Sequence, residues 1–190
     1  MRNDLLQAKA TLREQMRTRQ FGPSASSQWP DAWCDPLKRA DVWQRAQAVL
    51  FFAPLPDEPN IWPLLDLALA EKKVCALPGY ASQLQGYLAR RVVDPASDLV
   101  IGKFGIRECA VHCPEIPLNH LDLLLVPGVA FDAQGHRLGR GKGFYDRLLA
   151  RARGIKCGVA FDEQIVPAVP VGPHDVGLDC ILTPTRWIKT

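Results

Sequence analysis

A single α/β domain, with a mainly parallel sheet flanked by helices, is the fold that this sequence predicts. Three observations carry the prediction. Short, wholly apolar runs such as Ala48-Val-Leu-Phe-Phe-Ala53 have the unbroken hydrophobicity of strands buried on both faces. Helical stretches separate these runs at the spacing of strand–helix–strand units. The 190 residues, 47% hydrophobic and 23% charged, suit one globular core over residues 1–190 and exclude a disordered or fibrous chain.

In chain order, residues 4–20 read as a helix with Leu5, Leu12 and Met16 on one face. Lys9, Arg13 and Arg17 recur every fourth position and form one basic stripe. Phe21-Gly22-Pro23 stops that helix, and a Ser-rich turn runs through Ser27. Asp35-Pro36 opens a second helix that reaches about Ala46, proline being tolerated in a first turn. A buried strand is expected at 48–53, a helix at 61–71, a strand at 73–78 and an edge strand at 87–93. Further buried strands are expected at 122–127, 155–161 and 179–183, with a helix at 144–153. Pro54-Leu-Pro56 and 94–120 are the long loops, where function tends to concentrate in compact domains.

The formal net charge of +3 is too mild to imply nucleic-acid binding. Residues 1–20 hold Arg2, Lys9, Arg13, Arg17 and Arg19 against Asp4 and Glu14, so the excess sits in the first helix and the rest of the chain is balanced. No run approaches the ~20 apolar residues that span a bilayer. The charged N-terminus lacks the apolar core of a signal peptide. Six cysteines are scattered widely, and Cys75, Cys157 and Cys180 lie in apolar runs as small buried hydrophobes. A cytoplasmic monomer without membrane or nucleic-acid partners is expected.

The segment Arg137-Leu-Gly-Arg-Gly-Lys-Gly-Phe-Tyr-Asp146 carries the most chemical information. Gly139, Gly141 and Gly143 alternate with Arg140 and Lys142, after a strand and before a helix, an arrangement that suits a polyphosphate. Lys142 is followed by Gly143, so this is no Walker A loop, and Phe144 stands where a dinucleotide fingerprint needs its third glycine. A turn with solvated charges is the plainer reading. Asp132, Asp146 and Asp175 are candidates for Mg²⁺, which takes one or two carboxylates beside phosphate oxygens. Asp146 would equally serve a helix start, and Asp132 a turn.

Cys109-Ala-Val-His112-Cys113 has the residue types of a zinc site, but no second Cys/His pair stands nearby to complete four ligands. His136 and His174 read as solvated loop residues, and no Gly-x-Ser-x-Gly elbow supports a serine hydrolase. Phe51, Phe52, Tyr80, Tyr87 and Phe104 read as core. The Lys9/Arg13/Arg17 stripe is either a solvated face or a source of cations for a bound nucleotide.

Together, Val126-Pro-Gly-Val-Ala-Phe-Asp132 and Arg137–Asp146 resemble the signature of the 5-formyltetrahydrofolate cyclo-ligase family. Supporting similarities are the Lys9-x-x-Leu12-Arg13 start, Phe51-Phe-Ala-Pro-Leu-Pro-Asp-Glu58, Gly105-Ile-Arg-Glu108, and Val169-Pro-Val with His174-Asp175 and Asp179. Cys109 stands where the family usually has proline. The resemblance implies a Rossmann-like fold and an ATP- and Mg²⁺-dependent conversion of 5-formyltetrahydrofolate, with or without a polyglutamate tail, to 5,10-methenyltetrahydrofolate. ADP and phosphate would be released. It implies that Lys9, Arg13 and Arg137, Leu138, Gly139, Arg140, Gly141, Lys142, Gly143, Phe144 and Tyr145 hold ATP, with Arg140 and Lys142 catalytic. Asp146 and Asp175 would hold the metal. Phe52, Ala53, Glu58, Phe104 and the 140–144 backbone would face the folate. Two alternatives are a divergent ATP-dependent paralogue with another substrate and a non-catalytic nucleic-acid module using the first helix.

Overall fold

The computed structural model describes residues 2–19, 34–84, 86–102 and 105–190. The helix stop at Phe21-Gly22-Pro23, the Ser-rich turn and Phe104 lie outside them. The chain begins with helices α1 (Arg2–Arg17), α2 (Cys34–Lys38) and α3 (Asp41–Arg45), then strand β1 (Ala48–Leu50), α4 (Trp62–Ala70), β2 (Val74–Ala81) and β3 (Gly86–Val92). It continues through α5 (Pro95–Asp98), β4 (Leu99–Ile101), β5 (Arg107–Cys109), β6 (Glu115–Ile116), β7 (Leu123–Val126), β8 (Ala130–Phe131) and β9 (Arg137–Leu138). Helix α6 (Phe144–Leu149) and strands β10 (Ile155–Val159), β11 (Cys180–Leu182) and β12 (Trp187–Lys189) complete it.

The central sheet has the order β12-β11-β10-β7-β1-β2-β3-β6. Its middle is parallel: β1 pairs with both β2 and β7, and β10 with both β7 and β11. The apolar runs occupy these central positions because their side chains are covered on both faces. Val49, Cys75, Leu123, Leu125, Cys157 and Val159 point to one face and bury Leu37, Trp43, Leu64 and Leu65 of α2, α3 and α4. Alternate residues Leu50, Ala76, Leu124, Val126 and Ile181 point to the other and cover Phe131, Leu148 and Leu149 of β8 and α6. Among the described residues, no helix is long and apolar enough to cross a membrane.

The first helix takes a different seat. Its Leu12 and Met16 pack on Ala130, Leu138, Val166 and Val169, so α1 lies over the β8–β9 hairpin. Met16 is 1% exposed, and truncating such a side chain costs about 2–5 kcal/mol. That packing brings the basic stripe of α1 to the glycine-rich loop that follows β9.

Several boundaries depart from the sequence reading. The helix expected from 35 to 46 is broken, with Ala40 extended at φ −81° and ψ 133°. A continuous helix would place Leu37 and Trp43 on different faces; the break turns both into the core. The strand at 87–93 is not an edge, because β6 pairs beyond it at Ala89 and Arg90. The 94–120 stretch is no structureless loop: it holds α5, the β4–β5 hairpin and β6. The helix expected at 144–153 ends at Leu149, and Arg151 and Ala152 continue it only as tighter turns onto Leu148 and Leu149. Strands β3, β6 and β12 pair antiparallel at the flanks, so the sheet is mainly parallel, as the sequence predicts.

Candidate active site

At the carboxyl ends of β1 and β7, three chain segments meet: 52–58, 127–146 and the inner face of α1. Outgoing loops of a parallel sheet converge on this edge. The glycine-rich loop owes its path to backbone that only glycine adopts readily. Gly141 has φ +97° and Gly143, which caps α6, has φ +64°. The Arg13 guanidinium lies beside Gly141, 3.5 Å from where a Cβ would stand, which is ordinary contact, so the positive φ is what calls for glycine there.

Helix α1 turns two of its three striped cations inward, Arg13 to this loop and Lys9 to Asp175. Arg13 Nε donates to the Gly139 carbonyl at 2.9 Å. Lys9 Nζ donates to Asp175 Oδ2, which also accepts the Gly172 N–H. Arg17 instead faces solvent and pairs with Glu14 three residues away. The first two cations of the stripe thus turn to partners beyond the helix, and the third lies on its solvated face.

Arg137 is buried at 7% exposure among the glycines. Its guanidinium donates to Asp146 Oδ1 at 2.8 Å and to the Pro127 carbonyl at 3.2 Å, and it lies over the Tyr145 ring. Its Nε has no hydrogen-bond partner among the described residues. A buried unpartnered donor is costly, so a cationic N–H left over at this spot fits an anionic ligand. Asp175 is drawn into the same field. Burial opposes its charge, but the Lys9 and Gly172 hydrogen bonds and the charges of Lys9 and Arg137 hold its carboxyl below the ordinary range. Asp146 and Asp175 therefore share Arg137 as a neighbour.

Asp132 stands apart from that pair. Its Oδ1 accepts the N–H groups of Gln134 and His136, and its Oδ2 accepts Val169 N–H and His136 Nδ1–H. Burial would raise its pKa, yet these bonds and the His136 charge leave it lowered. Asp132 is the turn former of the β8–β9 hairpin. His174 is exposed.

Arg140 crosses to the 52–58 segment, donating to Glu58 Oε1 at 3.2 Å and to Asp57 Oδ1 at 2.6 Å. Glu58 is 8% exposed and takes the Leu55 N–H on its other oxygen. Burial raises its pKa, against the opposing pull of Leu55 and Arg140. Phe52, expected to face a substrate, is instead 1% exposed within the core, and Ala53 is half-buried. Lys142 is exposed at the loop's crest.

Tyr80 and Tyr87, expected to be core residues, form a wall beside this loop. They sit opposite one another in the β2–β3 pairing, and Tyr80 is 56% exposed. Tyr87 lies 5.3 Å from Phe144 and 5.8 Å from Tyr145 between ring centroids, and Tyr80 lies 5.7 Å from Phe144. Burial, followed by the carboxylates Glu108 and Glu58, pushes the Tyr87 phenol up. Glu108 thus approaches the wall from β5. The sequence signal that would have found the pair is cross-strand register, since the two tyrosines bracket a tight hairpin.

Comparison with known proteins places the chain by its sequence and its fold. The model of the 5-formyltetrahydrofolate cyclo-ligase family matches residues 1–184. The 5-formyltetrahydrofolate cyclo-ligase of Escherichia coli K12 is 34% identical over 145 residues, covering 74% of this chain and 80% of its own. That of Mycolicibacterium smegmatis is 35% identical over 148 residues, covering 75% and 76%. Among solved structures, the 5,10-methenyltetrahydrofolate synthetase of Aquifex aeolicus superposes with a TM-score of 0.83 at 31% identity, over 95% of this chain and 92% of that one.

Proposed function

The chain belongs to the 5-formyltetrahydrofolate cyclo-ligase family and is a ligase, and from that premise we propose that it uses ATP and Mg²⁺ to convert 5-formyltetrahydrofolate to 5,10-methenyltetrahydrofolate. The observation that carries this reading is the 137–146 loop, where a buried arginine keeps an Nε unpartnered among the described residues, Arg13 of α1 meets the Gly139 carbonyl, and Lys9 of α1 meets Asp175. The formyl oxygen attacks the γ-phosphorus and ADP departs. N10 then attacks the activated formyl carbon and loses its proton, and the carbon–oxygen bond breaks to release phosphate.

No protein nucleophile is needed for this chemistry; positioning and charge stabilisation suffice. Arg140 and Lys142 neutralise the charge that develops on the transferred phosphoryl group. Arg137, Arg13 and Lys9 hold the triphosphate, with the backbone of Leu138, Gly139, Gly141 and Gly143 beside it. Phe144 and Tyr145 join Tyr80 and Tyr87 in an aromatic wall for the pterin. Glu58 offers an acceptor to the folate's N–H groups. The donor set at Asp146 and Asp175 fits Mg²⁺, which binds through one or two carboxylates and phosphate oxygens. When bound, that ion supplies positive charge to the phosphates. Phe104 belongs to the folate side by resemblance.

Isotopic labelling tests the chemistry. With ¹⁸O in the formyl group, the released phosphate should carry the label, because the formyl oxygen leaves on phosphorus. Unlabelled phosphate would contradict the phosphorylation step.

A further inference from the structure

At the end of the β4–β5 pairing where Leu99 lies opposite Cys109, Asp98, His112 and Cys113 converge. A carboxylate oxygen, a ring nitrogen and the sulfur all lie within 4.8 Å of one another. We propose that these three side chains form a binding site for a thiophilic divalent cation of the zinc class, with the neighbouring Cys109 sulfur as its fourth ligand.

The ligand chemistry suits zinc, which takes thiolate, imidazole and carboxylate together in a tetrahedral shell. Ligand atoms about 2.0–2.3 Å from such an ion stand about 3.3–3.8 Å apart, so the three clustered atoms need a contraction of about 1.5 Å or less to close. Two ligands are already anchored from behind. Asp98 Oδ2 accepts the N–H groups of Val93 and Asp94 at 2.7 and 3.0 Å, which aims Oδ1 at His112 Nε2, 3.1 Å away. The turn that carries His112 and Cys113 is tied to the same residue, Ala110 N–H donating to the Asp98 carbonyl at 2.8 Å and Cys113 Sγ to it at 3.4 Å. Such supporting bonds orient the ligands of real metal sites.

Cys109 lies within hydrogen-bonding reach of Cys113 but outside the three-atom cluster, its Sγ donating to the Arg90 carbonyl at 3.7 Å, so it must turn from that carbonyl to complete the shell. Sequence inspection misses the carboxylate because Asp98 meets Cys109 and Cys113 only through strand pairing, Leu99 lying opposite Cys109. Binding breaks the Cys113 Sγ–H hydrogen bond to the Asp98 carbonyl, forms a metal–sulfur bond in its place and sends the thiol proton to solvent, a second proton following from Cys109. The His112–Asp98 hydrogen bond gives way to two bonds to the ion. The site would pin α5, the end of β5 and the 110–113 turn together. It shares no residue with the catalytic loop.

Cobalt titration of the full-length, chelator-stripped protein under reducing conditions decides the matter. One equivalent of Co²⁺ should produce a thiolate-to-cobalt charge-transfer band and tetrahedral visible bands, both abolished by one equivalent of Zn²⁺. Cys113→Ser should lose the charge-transfer band, and Cys109→Ser should weaken it. His112→Ala, at an exposed position, should bind at least about tenfold more weakly while folding and turning over as the parent does. An absent charge-transfer band at stoichiometric cobalt overturns the proposal and leaves Asp98–His112 as a surface ion pair. So does a band that survives both Cys113→Ser and His112→Ala.

Discussion

The loop at 137–146 and the 79–109 stretch meet at Phe144, and they are built in opposite ways. The loop packs its chemistry into ten consecutive residues: three glycines, three cations of which one is buried, two aromatics and Asp146. Its folding partner is equally regular, since α1 presents Lys9 and Arg13 one helical turn apart. The other wall is composite. Tyr80 and Tyr87 come from two strands, Glu108 from a third, and none of them has a contiguous motif. Phosphate is recognised by backbone and charge, which a short string can supply. A flat heterocycle is recognised by rings whose neighbours are set by sheet register.

Breaking the proposed phosphate side should have the largest effect. Lys142→Ala and Arg140→Ala should each lower turnover by about a hundredfold or more, as loss of one charge at a phosphoryl-transfer site does. Lys142 is exposed, so its variant should keep the parent's circular dichroism and melting temperature. A folded Lys142→Ala with near-parental turnover would remove the loop from catalysis.

Next in size is the contrast between two aspartates. Asp132→Asn should cost about 2–4 kcal/mol of stability, because an amide cannot accept all four hydrogen bonds that the carboxylate takes. The Asp132 pKa is lowered in the folded state, so its stabilising effect is complete above the unfolded carboxylate range near ~4. That effect is lost as pH falls through the lowered folded value, and the variant should therefore show a flatter acid limb in a melting-temperature series. Asp146→Asn should instead raise the Mg²⁺ needed for half-maximal rate. An unchanged magnesium titration would leave Asp146 only as the partner of Arg137.

On the folate side, Tyr80→Ala should raise the KM for folate about tenfold with turnover nearly unchanged, the pattern of lost uniform binding. Steady-state kinetics with each substrate varied separates this from a loss of kcat. The smallest contrast lies within α1. Arg13→Ala should raise the KM for ATP several-fold more than that for folate, whereas Arg17→Ala, paired in solvent with Glu14, should change neither constant and shift stability by under about 0.5 kcal/mol.

What could be read from sequence follows the same division. The central strands were legible because apolar runs such as 122–127 have few alternatives to burial, and the glycine loop because its spacing is local. The orientation of α1 was half legible: its stripe was visible, but only packing of Met16 on the hairpin decides which cations turn inward. The break between α2 and α3 was hidden, since it serves two buried residues, Leu37 and Trp43, that a helical pattern tolerates separately. Asp132 and Asp146 look alike in sequence and diverge through contacts with Val169 and Arg137. Tyr80 and Tyr87 read as core because aromatic content alone says nothing of cross-strand register.

The most direct test is to mix the protein with MgATP and 5-formyltetrahydrofolate and follow the absorbance of the methenyl product. The account predicts growth of that chromophore with one ATP consumed for each methenyl group formed, and no growth when ATP or Mg²⁺ is left out. A flat trace at high enzyme concentration, with the protein folded and both substrates present, would contradict it.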